Sequence, residues 1–379
     1  MQEKIIETKI CRYCKSNFDI TDLDMDFYDK ISPIFSWVKY EIPSPTLCPD
    51  CRQQRRLSFR NENKVYKNKC KLCNKDMISM FSSDKSNCVY CKDCWYSDKW
   101  NALNYGIDFN FNKSFFEQFN WILKSIPVFA VSVEDMENSD YSNNASYLKN
   151  CYLCFNWWQG ENCFYCIGFE NNSNCVDCLH TSKSENCYEC TNCVWCHSIF
   201  HSQDCTDCAN SYFLKNCIWC NDCIWSVNLL NKKYHINNTE FSKEEYFKLK
   251  DVTLDKLHIE GISLSKNTIY KCSNIINSDN SEWNNIFNSN NVRSSFDILE
   301  WEDVKYSTEL RNGSNKVMDI HLFWWNLELS YESCIVWTNA SRILFSCECY
   351  NNVSDILYSY SCISNNKNLF WCIWLRNSQ

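Results

Sequence analysis

The sequence predicts a mainly β protein in which two small N-terminal modules, each held by paired cysteines, precede a right-handed β-solenoid with a helical insertion. Two observations predict this fold class. Pairs of cysteines separated by two residues recur through the first hundred positions, and from Cys151 an Asn-Cys motif recurs at spacings of 6 or 12 residues. Because this short period has none of the 3.6-residue rhythm of a helix, it indicates stacked strands.

Composition limits the classes of protein that fit. With 45% hydrophobic and 22% charged residues, the 379-residue chain is typical of a folded protein of two or three domains. A formal net charge of -8 argues against a protein that coats nucleic acid. No apolar run approaches the roughly 20 residues of a membrane span, and the N-terminus lacks the layout of a secretory signal. We therefore predict a cytoplasmic protein with reduced thiols and no membrane partner.

The N-terminal cysteines form two groups of four, each made of two Cys-x-x-Cys pairs. The groups are Cys11, Cys14, Cys48 and Cys51, and Cys70, Cys73, Cys91 and Cys94. Such pairs bring four thiolates around one Zn²⁺ in a tetrahedral, structural site. We predict two zinc ribbons, each gaining roughly 10–16 kcal/mol of apparent folding energy from its metal. The alternatives are buried or disulfide-bonded cysteines, and Cys88 as a competing ligand in the second group.

A basic run after Cys51 suggests a second kind of site. Its first cations are Arg52, Arg55, Arg56 and Arg60, and lysines continue the run to Lys71. Together with Phe59 and Tyr66, these side chains match a surface that grips phosphates and stacks bases. A solvated, partly helical face is the favoured interpretation, because charge runs are usually solvated and no nucleic-acid module motif accompanies this one.

Three stretches of the first hundred residues, CRYCKSNFDI, YEIPSPTLCPDCRQQRRLSFRNE and KCKLCNKDMISMFSSDK, resemble a family of bacterial zinc-ribbon proteins of uncharacterised function, known mainly from uncultured lineages. The resemblance continues through the Asn-Cys repeats to NLFWCIWLRN, and so covers nearly the whole chain. It implies zinc at the cysteines named above and a repetitive second half. It implies no activity.

The repeats predict how the solenoid is filled. They start at Cys151, Cys163, Cys175, Cys187, Cys193, Cys205 and Cys217, and weaker starts follow residue 270. Cysteine is small and readily buried, which suits a narrow interior, and asparagine tolerates left-handed corners. Twelve residues are either one flattened turn or half of a turn of about 24. We favour the half turn.

Fifteen thiols lie between Cys151 and Cys223, and their role has three interpretations. They form a structural core, bind a chain of metal ions or form a disulfide ladder. The structural core is favoured, because their regular spacing follows the fold rather than a site. The stretch Cys193-Val-Trp-Cys196-His197 also matches a haem-attachment pattern, but Cys-x-x-Cys occurs in nearly every repeat.

These patterns divide the chain into six segments. A helix in the third is expected to end before Pro127, and Ser242-x-x-Glu245 is a capping box that opens a helix in the fifth. The segments are a first ribbon with a basic extension (1–66), a second ribbon (67–100), a helical connector (101–140), a cysteine-rich solenoid (141–236), a helical insertion (237–266) and a second solenoid segment (267–379). We expect the last to be cut short at Gln379, because CIWLRNSQ resembles the start of the longer CIWSVNLLNKK.

Tryptophan and glycine depart from average usage in opposite directions, with 16 tryptophans and 5 glycines. Several tryptophans stand at tight repeat positions or in a loop, where the resembling family carries glycine (as in FGCIGLRN). They include Trp37, Trp219, Trp225, Trp371 and Trp374. The hypothesis is that the gene reads UGA as glycine. The alternative is that these residues are genuine tryptophans.

The sequence contains no nucleophile elbow, phosphate-binding glycine loop or open catalytic metal motif. The expected function is therefore that of a non-catalytic, zinc-binding β-solenoid protein acting as an interaction or scaffold module. A protein is favoured over nucleic acid as its partner. The alternatives are a nucleic-acid-binding zinc-ribbon protein and a polysaccharide-binding or polysaccharide-acting β-helix protein.

Overall fold

A computed structural model describes residues 3–58, 61–85, 87–260, 269, 271–310, 315–323 and 326–378. The chain forms two compact units. One contains Met1–Arg60, Asn101–Leu123 and Lys271–Gln379, and the other contains Asn61–Trp100 and Lys124–Tyr270. Each unit therefore combines one cysteine-paired module with one solenoid segment. The chain leaves the first unit twice and returns to it twice.

The first ribbon consists of short antiparallel pairs and two helices. Its elements are β1 (Ile5–Ile10), β2 (Asn17–Thr21), α1 (Asp22–Ile31), β3 (Ile34–Phe35), β4 (Val38–Lys39) and α2 (Pro49–Leu57). Strand β1 pairs with β2, and β3 pairs with β4. A capping box between Thr21 and Asp24 begins α1, which satisfies backbone N–H groups that would otherwise lack partners.

The second ribbon is smaller and continues into the connector. The elements are β5 (Tyr66–Lys69), β6 (Asp76–Ser79), β7 (Cys88–Tyr90), α3 (Lys92–Trp95), α4 (Phe115–Ser125), β8 (Pro127–Phe129) and β9 (Val133–Glu137). Helix α4 ends before Pro127 as predicted, because proline lacks the amide that a continuing helix needs. Strand β8 pairs in parallel with β7, which joins this ribbon to the start of its solenoid segment.

The first solenoid segment is a parallel stack that ends in one antiparallel strand. The parallel strands are β10 (Asn143–Lys149), β11 (Phe155–Glu161), β12 (Ile167–Ser173), β13 (His197–Phe200), β14 (Ala209–Lys215), β15 (Asn221–Val227) and β16 (Lys233–Ile236), and β17 (Thr239–Glu240) pairs antiparallel with β16. Phe155 lies opposite Asn143 on one side and Ile167 on the other. One turn is therefore 12 residues long, and the favoured turn of about 24 residues is wrong. The β-solenoid itself is confirmed, and its right-handed coiling stays a prediction.

A three-residue unit explains the 12-residue turn. Asn162 takes a left-handed corner at φ 53°, Cys163 points into the buried interior and Phe164 faces outward. The next corner is Tyr165 at φ 56°. Four such units close one turn, so a Cys-x-x-Cys pair fills two successive sides. In the sequence only the 6- and 12-residue spacings are evident, because cysteine occupies some inward positions and not others.

A helix covers the end of this segment. Helix α5 (Lys243–Glu260) begins with the predicted capping box, in which the Ser242 amide donates to Glu245 Oε2 at 3.1 Å and the Glu245 amide donates to Ser242 Oγ at 3.2 Å. Tyr246 of this helix is fully buried in a cluster with Phe213 and Ile224. The helical insertion is therefore part of the packing of the second unit.

The second solenoid segment is built mainly from aliphatic residues. Its strands are β18 (Ile275–Ile276), β19 (Trp283–Phe287), β20 (Asn290–Arg293), β21 (Ser295–Leu299), β22 (Glu302–Lys305), β23 (Thr308–Leu310), β24 (Asn315–Met318), β25 (Ile320–Phe323), β26 (Leu327–Tyr331), β27 (Ser333–Trp337), β28 (Ala340–Leu344), β29 (Cys347–Tyr350), β30 (Val353–Leu357) and β31 (Lys367–Phe370). They form two seven-stranded parallel sheets. Val304 lies opposite Val292 and Val317, so successive turns differ in length by a residue. That variation explains why the period is fainter here.

The tryptophans singled out in the sequence adopt the backbone that glycine prefers. Left-handed φ angles occur at Trp37 (68°), Trp219 (55°), Trp225 (50°), Trp371 (59°) and Trp374 (59°). A left-handed backbone disfavours residues that carry a Cβ. At Trp157 the indole fills the interior so closely that a Cβ on Gly160 would lie 2.4 Å from it. Most other solenoid corners share this φ with residues other than glycine, so the angle is a property of the corner, and the decoding of the codons stays a prediction.

Replacing Trp37 with glycine is expected to raise the free energy of unfolding by about 1–2 kcal/mol. Ser36 and Trp37 both have positive φ in the two-residue turn between β3 and β4, a turn that favours glycine at its second position. The Trp37 side chain is 99% exposed, so its removal loses no buried contacts. Urea titration measures the change. The control is Trp37→Ala, which keeps the Cβ, and an equal gain from alanine would contradict the prediction.

Candidate metal centres

The first centre brings together all four predicted ligands. The Sγ atoms of Cys11, Cys14, Cys48 and Cys51 lie within 4.8 Å of one another. The Cys14 and Cys48 sulfurs are 3.6 Å apart, which is too long for a disulfide. Four sulfurs at about 2.3 Å from a tetrahedral metal are separated by about 3.8 Å. The cluster therefore has the dimensions of a metal site.

Local backbone geometry places these thiols. After Cys11 the chain reverses through Lys15, which has a φ of 65°, and the Cys11 amide donates to Ser16 O at 2.9 Å. The Cys48 amide donates to Cys11 Sγ at 3.3 Å. Cys48 is the N-cap of α2 and Cys51 lies in its first turn, where the positive end of the helix dipole stabilises a thiolate.

The second centre repeats the first. The Sγ atoms of Cys70, Cys73, Cys91 and Cys94 also lie within 4.8 Å of one another. The Cys73 and Cys91 sulfurs are 3.8 Å apart, and the Cys91 amide donates to Cys70 Sγ at 3.3 Å. Asn74 has a φ of 62° at the position equivalent to Lys15. Cys88 lies in β7 outside the cluster, so the four predicted ligands form the group without it.

Electrostatics favour a bound cation at both centres. Burial acts to raise the pKa of Cys11, but amide donors from Cys48, Cys14 and Tyr13 lower that pKa to about 6. The pKa of Cys70 is likewise lowered to about 6 by amide donors that outweigh its burial. Burial is the main cause that raises the pKa of Cys51 to about 12, and the neighbouring thiols of the cluster raise it as well. A divalent metal ion offsets the repulsion among the thiolates, and the four-thiolate donor set fits one.

The arginines of the basic run on α2 pair with carboxylates of the same chain. Arg52 is only 2% exposed and Arg56 is also buried. Arg52 Nε lies 2.6 Å from Asp319 Oδ2, and Arg55 Nη2 lies 2.6 Å from Glu332 Oε1. Arg56 Nη1 lies 3.4 Å from Asp319 Oδ1.

Arg60, the last predicted cation of the run, lies outside the described residues. The partner carboxylates Asp319 and Glu332 belong to the second solenoid segment, in the same unit. Sequence reasoning missed them, because nothing in the local pattern marks two acids as buried. They anchor the ribbon to the solenoid.

The repeat thiols have a different environment. All fifteen, from Cys151 to Cys223, are buried and free. Cys166 Sγ lies 3.0 Å from Phe164 O, and Cys154 Sγ lies 3.3 Å from Cys163 O. Among the residues that the structure describes, only the two N-terminal clusters qualify as metal groups. The repeat thiols therefore act as interior packing that also satisfies backbone carbonyls.

Comparison with known proteins identifies no family. No family model matches the chain, and no curated protein matches it. One crystal structure, described as a "putative acetyltransferase" from Desulfovibrio desulfuricans G20, shares 10% identity over 59% of this chain and 63% of that one. Its TM-score of 0.12 is too low to support a shared fold. The class is therefore set by the structure alone, as a β-solenoid protein with two candidate four-cysteine metal centres.

No helix in the described part of the chain is both long and apolar enough to cross a bilayer.

The purified chain is expected to contain two metal ions, because each four-cysteine cluster takes one. Elemental analysis measures the content. Cys48→Ser and Cys91→Ser should each remove one ion, since three thiolates bind far less tightly than four. The matched control is Cys166→Ser, inside the solenoid, which should leave both ions. A content above two that falls in the Cys166 variant would show that the repeat thiols bind metal.

Asp319→Asn is expected to lower the free energy of unfolding by about 3–5 kcal/mol, because it removes the nearest counter-charge of two buried guanidinium groups. The control is Asp29→Asn in the exposed pair with Lys39, for which a loss of less than about 1 kcal/mol is expected. The double variant Arg52→Met with Asp319→Leu should recover part of the loss. Denaturant titration checks all three, and equal losses at Asp319 and Asp29 would refute a buried anchor.

Proposed function

We propose that the chain is a non-catalytic, zinc-binding β-solenoid protein that acts as an interaction or scaffold module for a protein partner in the cytoplasm. The observation that carries this proposal is the position of the two centres. Each lies on a ribbon that is attached to a solenoid segment of the same unit. Metal there stabilises the join between a small module, which cannot fold alone, and the long stacked surface.

The attachment is specific in both units. In the first, Arg52 follows the ligand Cys51 directly and pairs with Asp319. In the second, the Met80 amide donates to Ala130 O at 2.8 Å and the Ala130 amide donates to Tyr90 O at 3.1 Å. Tyr90 immediately precedes the ligand Cys91. In both units a residue that contacts the solenoid segment is therefore adjacent in sequence to a metal ligand. Loss of either metal is expected to weaken that ribbon–solenoid contact.

The donor sets support zinc in a structural role. Four thiolates in a tetrahedral arrangement are the preferred environment of Zn²⁺. They leave no coordination position for a substrate or an activated water, which catalytic zinc sites require. This closed chemistry supports a non-catalytic function.

The outer surface of the solenoid supports an interaction role. Asparagine amides bond from turn to turn at successive corners, with Asn150 Nδ2 donating to Asn162 Oδ1 at 3.2 Å and Asn162 Nδ2 donating to Asn174 Oδ1 at 3.1 Å. Side chains that point outward at equivalent positions of successive turns form columns along the solenoid. The asparagine ladders hold these columns in a fixed register. Repeated, regular faces of this kind provide extended binding surfaces for macromolecules.

Two alternatives receive less support. Nucleic-acid binding through the basic run would need its guanidinium groups at the surface, but Arg52 and Arg56 are buried against Asp319 and Glu332. The exposed Arg55 also pairs with Glu332. A polysaccharide-acting β-helix would need a cluster of carboxylates on one solenoid face, and Asp319 and Glu332 are engaged by arginines.

Affinity purification of the tagged chain from its native cells, after nuclease treatment, is expected to recover a protein partner in stoichiometric amount. Cys91→Ser should abolish recovery of the partner, because without its metal the second ribbon no longer packs stably against its solenoid segment. The control is Cys88→Ser, beside the same centre but outside the cluster. A partner that nuclease releases would favour the nucleic-acid alternative, and recovery of no protein partner would refute the proposal.

A further inference from the structure

An exposed aromatic strip runs along one edge of the first solenoid segment. It occupies outward positions and the neighbouring corners of successive turns. We call the following residues the aromatic strip: Tyr141, Tyr152, Phe164, Tyr165, Tyr188 and Phe200. The first four are between 37% and 51% exposed, and Tyr188 and Phe200 are half-buried. A contiguous exposed apolar surface of this kind is typical of an interaction site.

The strip continues into a surface that is already covered within the same unit. Phe200 lies beside Tyr212 in the ladder, and Tyr212 lies beside Ile224. Ile224 is fully buried beneath α5, whose Tyr246 packs in the same cluster. The chain therefore shows what kind of element this column accepts, namely a helix that inserts an aromatic anchor.

That helix also brings lysine to the column. Lys250 Nζ lies 5.3 Å from the centre of the Tyr212 ring, within the range of a cation–π contact. Lys250 also acts on the carboxylate of Asp222 at a nearby corner. The covered end of the column thus combines aromatic packing with a lysine beside an acid.

The exposed strip offers the same combination. Asp140, Asp177 and Glu189 are exposed at positions that alternate with its rings. Glu189 Oε2 lies 2.7 Å from His201 Nδ1. Asp140 stands one 12-residue turn before Tyr152, and Asp177 stands one turn after Tyr165. A partner for this surface needs apolar side chains flanked by cations.

Ring orientation disfavours a flat ligand. Phe200 stacks face to face on Tyr212 at a centroid distance of 4.8 Å, and Tyr152 meets Tyr165 edge to face at 5.7 Å. Bases stack on free aromatic faces, and these contacts use ring faces within the protein. The strip is better suited to packing side chains of a protein partner.

We propose that the aromatic strip binds an amphipathic, lysine-bearing helix of a partner protein, which extends the contact that α5 makes within the chain. The inference rests on the proposed interaction function and names its surface and the chemistry of its partner. The partner helix places an aromatic or aliphatic anchor between the rings. Its lysines face Asp177 and Glu189.

A labelled peptide with the sequence of residues 242–260, which spans α5, tests the proposal against the full metal-loaded chain. Fluorescence anisotropy is expected to show saturable, one-to-one binding. The double variant Tyr152→Ser with Phe164→Ser should weaken binding by about tenfold or more, as loss of a central aromatic anchor does. Asp177→Lys with Glu189→Lys should weaken it as well. The control is Tyr147→Ser, an equally exposed tyrosine on another side of the solenoid.

Three outcomes would overturn the proposal. The peptide fails to saturate the wild-type chain, or the Tyr152 and Phe164 variant binds as well as wild type. In the latter case, tighter binding to Tyr246→Ala would show that the peptide only replaces α5. The third outcome is self-association of the chain in analytical sedimentation, lost in the Tyr152 and Phe164 variant, with no binding of the peptide. That result would identify a second copy of the chain as the occupant of the strip.

The two proposals fail in different ways. If the partner recovered by affinity purification stays bound to the Tyr152 and Phe164 variant, the aromatic strip is not its binding site. The proposed interaction function is unaffected by that result. If no protein partner is recovered from the wild-type chain, the interaction function fails, whatever the peptide does.

Discussion

The solenoid chain turns a corner at every third residue, and the corner residue there has a positive φ, as at Asn150, Asn162 and Asn174. Three residues per side leave room for one inward side chain, which is most often cysteine in the first segment and aliphatic in the second. The same spacing sends every third side chain outward and stacks it on its counterpart 12 residues later. Interior, ladders and outer columns all follow from this backbone constraint, and asparagine is favoured at the corners because it tolerates the left-handed region and bonds to the next corner.

Sulfur has two roles in this chain, and the surrounding backbone separates them. In the ribbons, reverse turns and helix N-termini direct amide donors at the thiols, which lowers the pKa of Cys11 and Cys70 to about 6. In the solenoid, thiols such as Cys166 lie beside backbone carbonyls, which are acceptors and favour the protonated form. The same side chain is thus a metal ligand in one setting and packing in the other.

Much of this organisation could be predicted from the sequence, because it is local. Two pairs of cysteines at ribbon spacing predict each cluster, and the short repeat predicts a solenoid. The length of a turn could not be predicted, since 12 residues fit either a whole turn or a half, and only the register between Asn143 and Phe155 decides. The burial of Arg52 could not be predicted either, because its partner Asp319 lies in a distant segment of the sequence and no local pattern pairs the two residues.

The discontinuous first unit has a consequence for synthesis of the chain. Its ribbon leaves the ribosome before the solenoid segment that carries Asp319 and Glu332 is made. At 5–20 residues per second the intervening chain takes on the order of tens of seconds to appear. For that time Arg52, Arg55 and Arg56 are without their carboxylates, and the nascent ribbon presents a cationic face that Asp319 and Glu332 neutralise in the finished protein. Chaperones or polyanions in the cell therefore encounter a different surface on the growing chain than on the mature one.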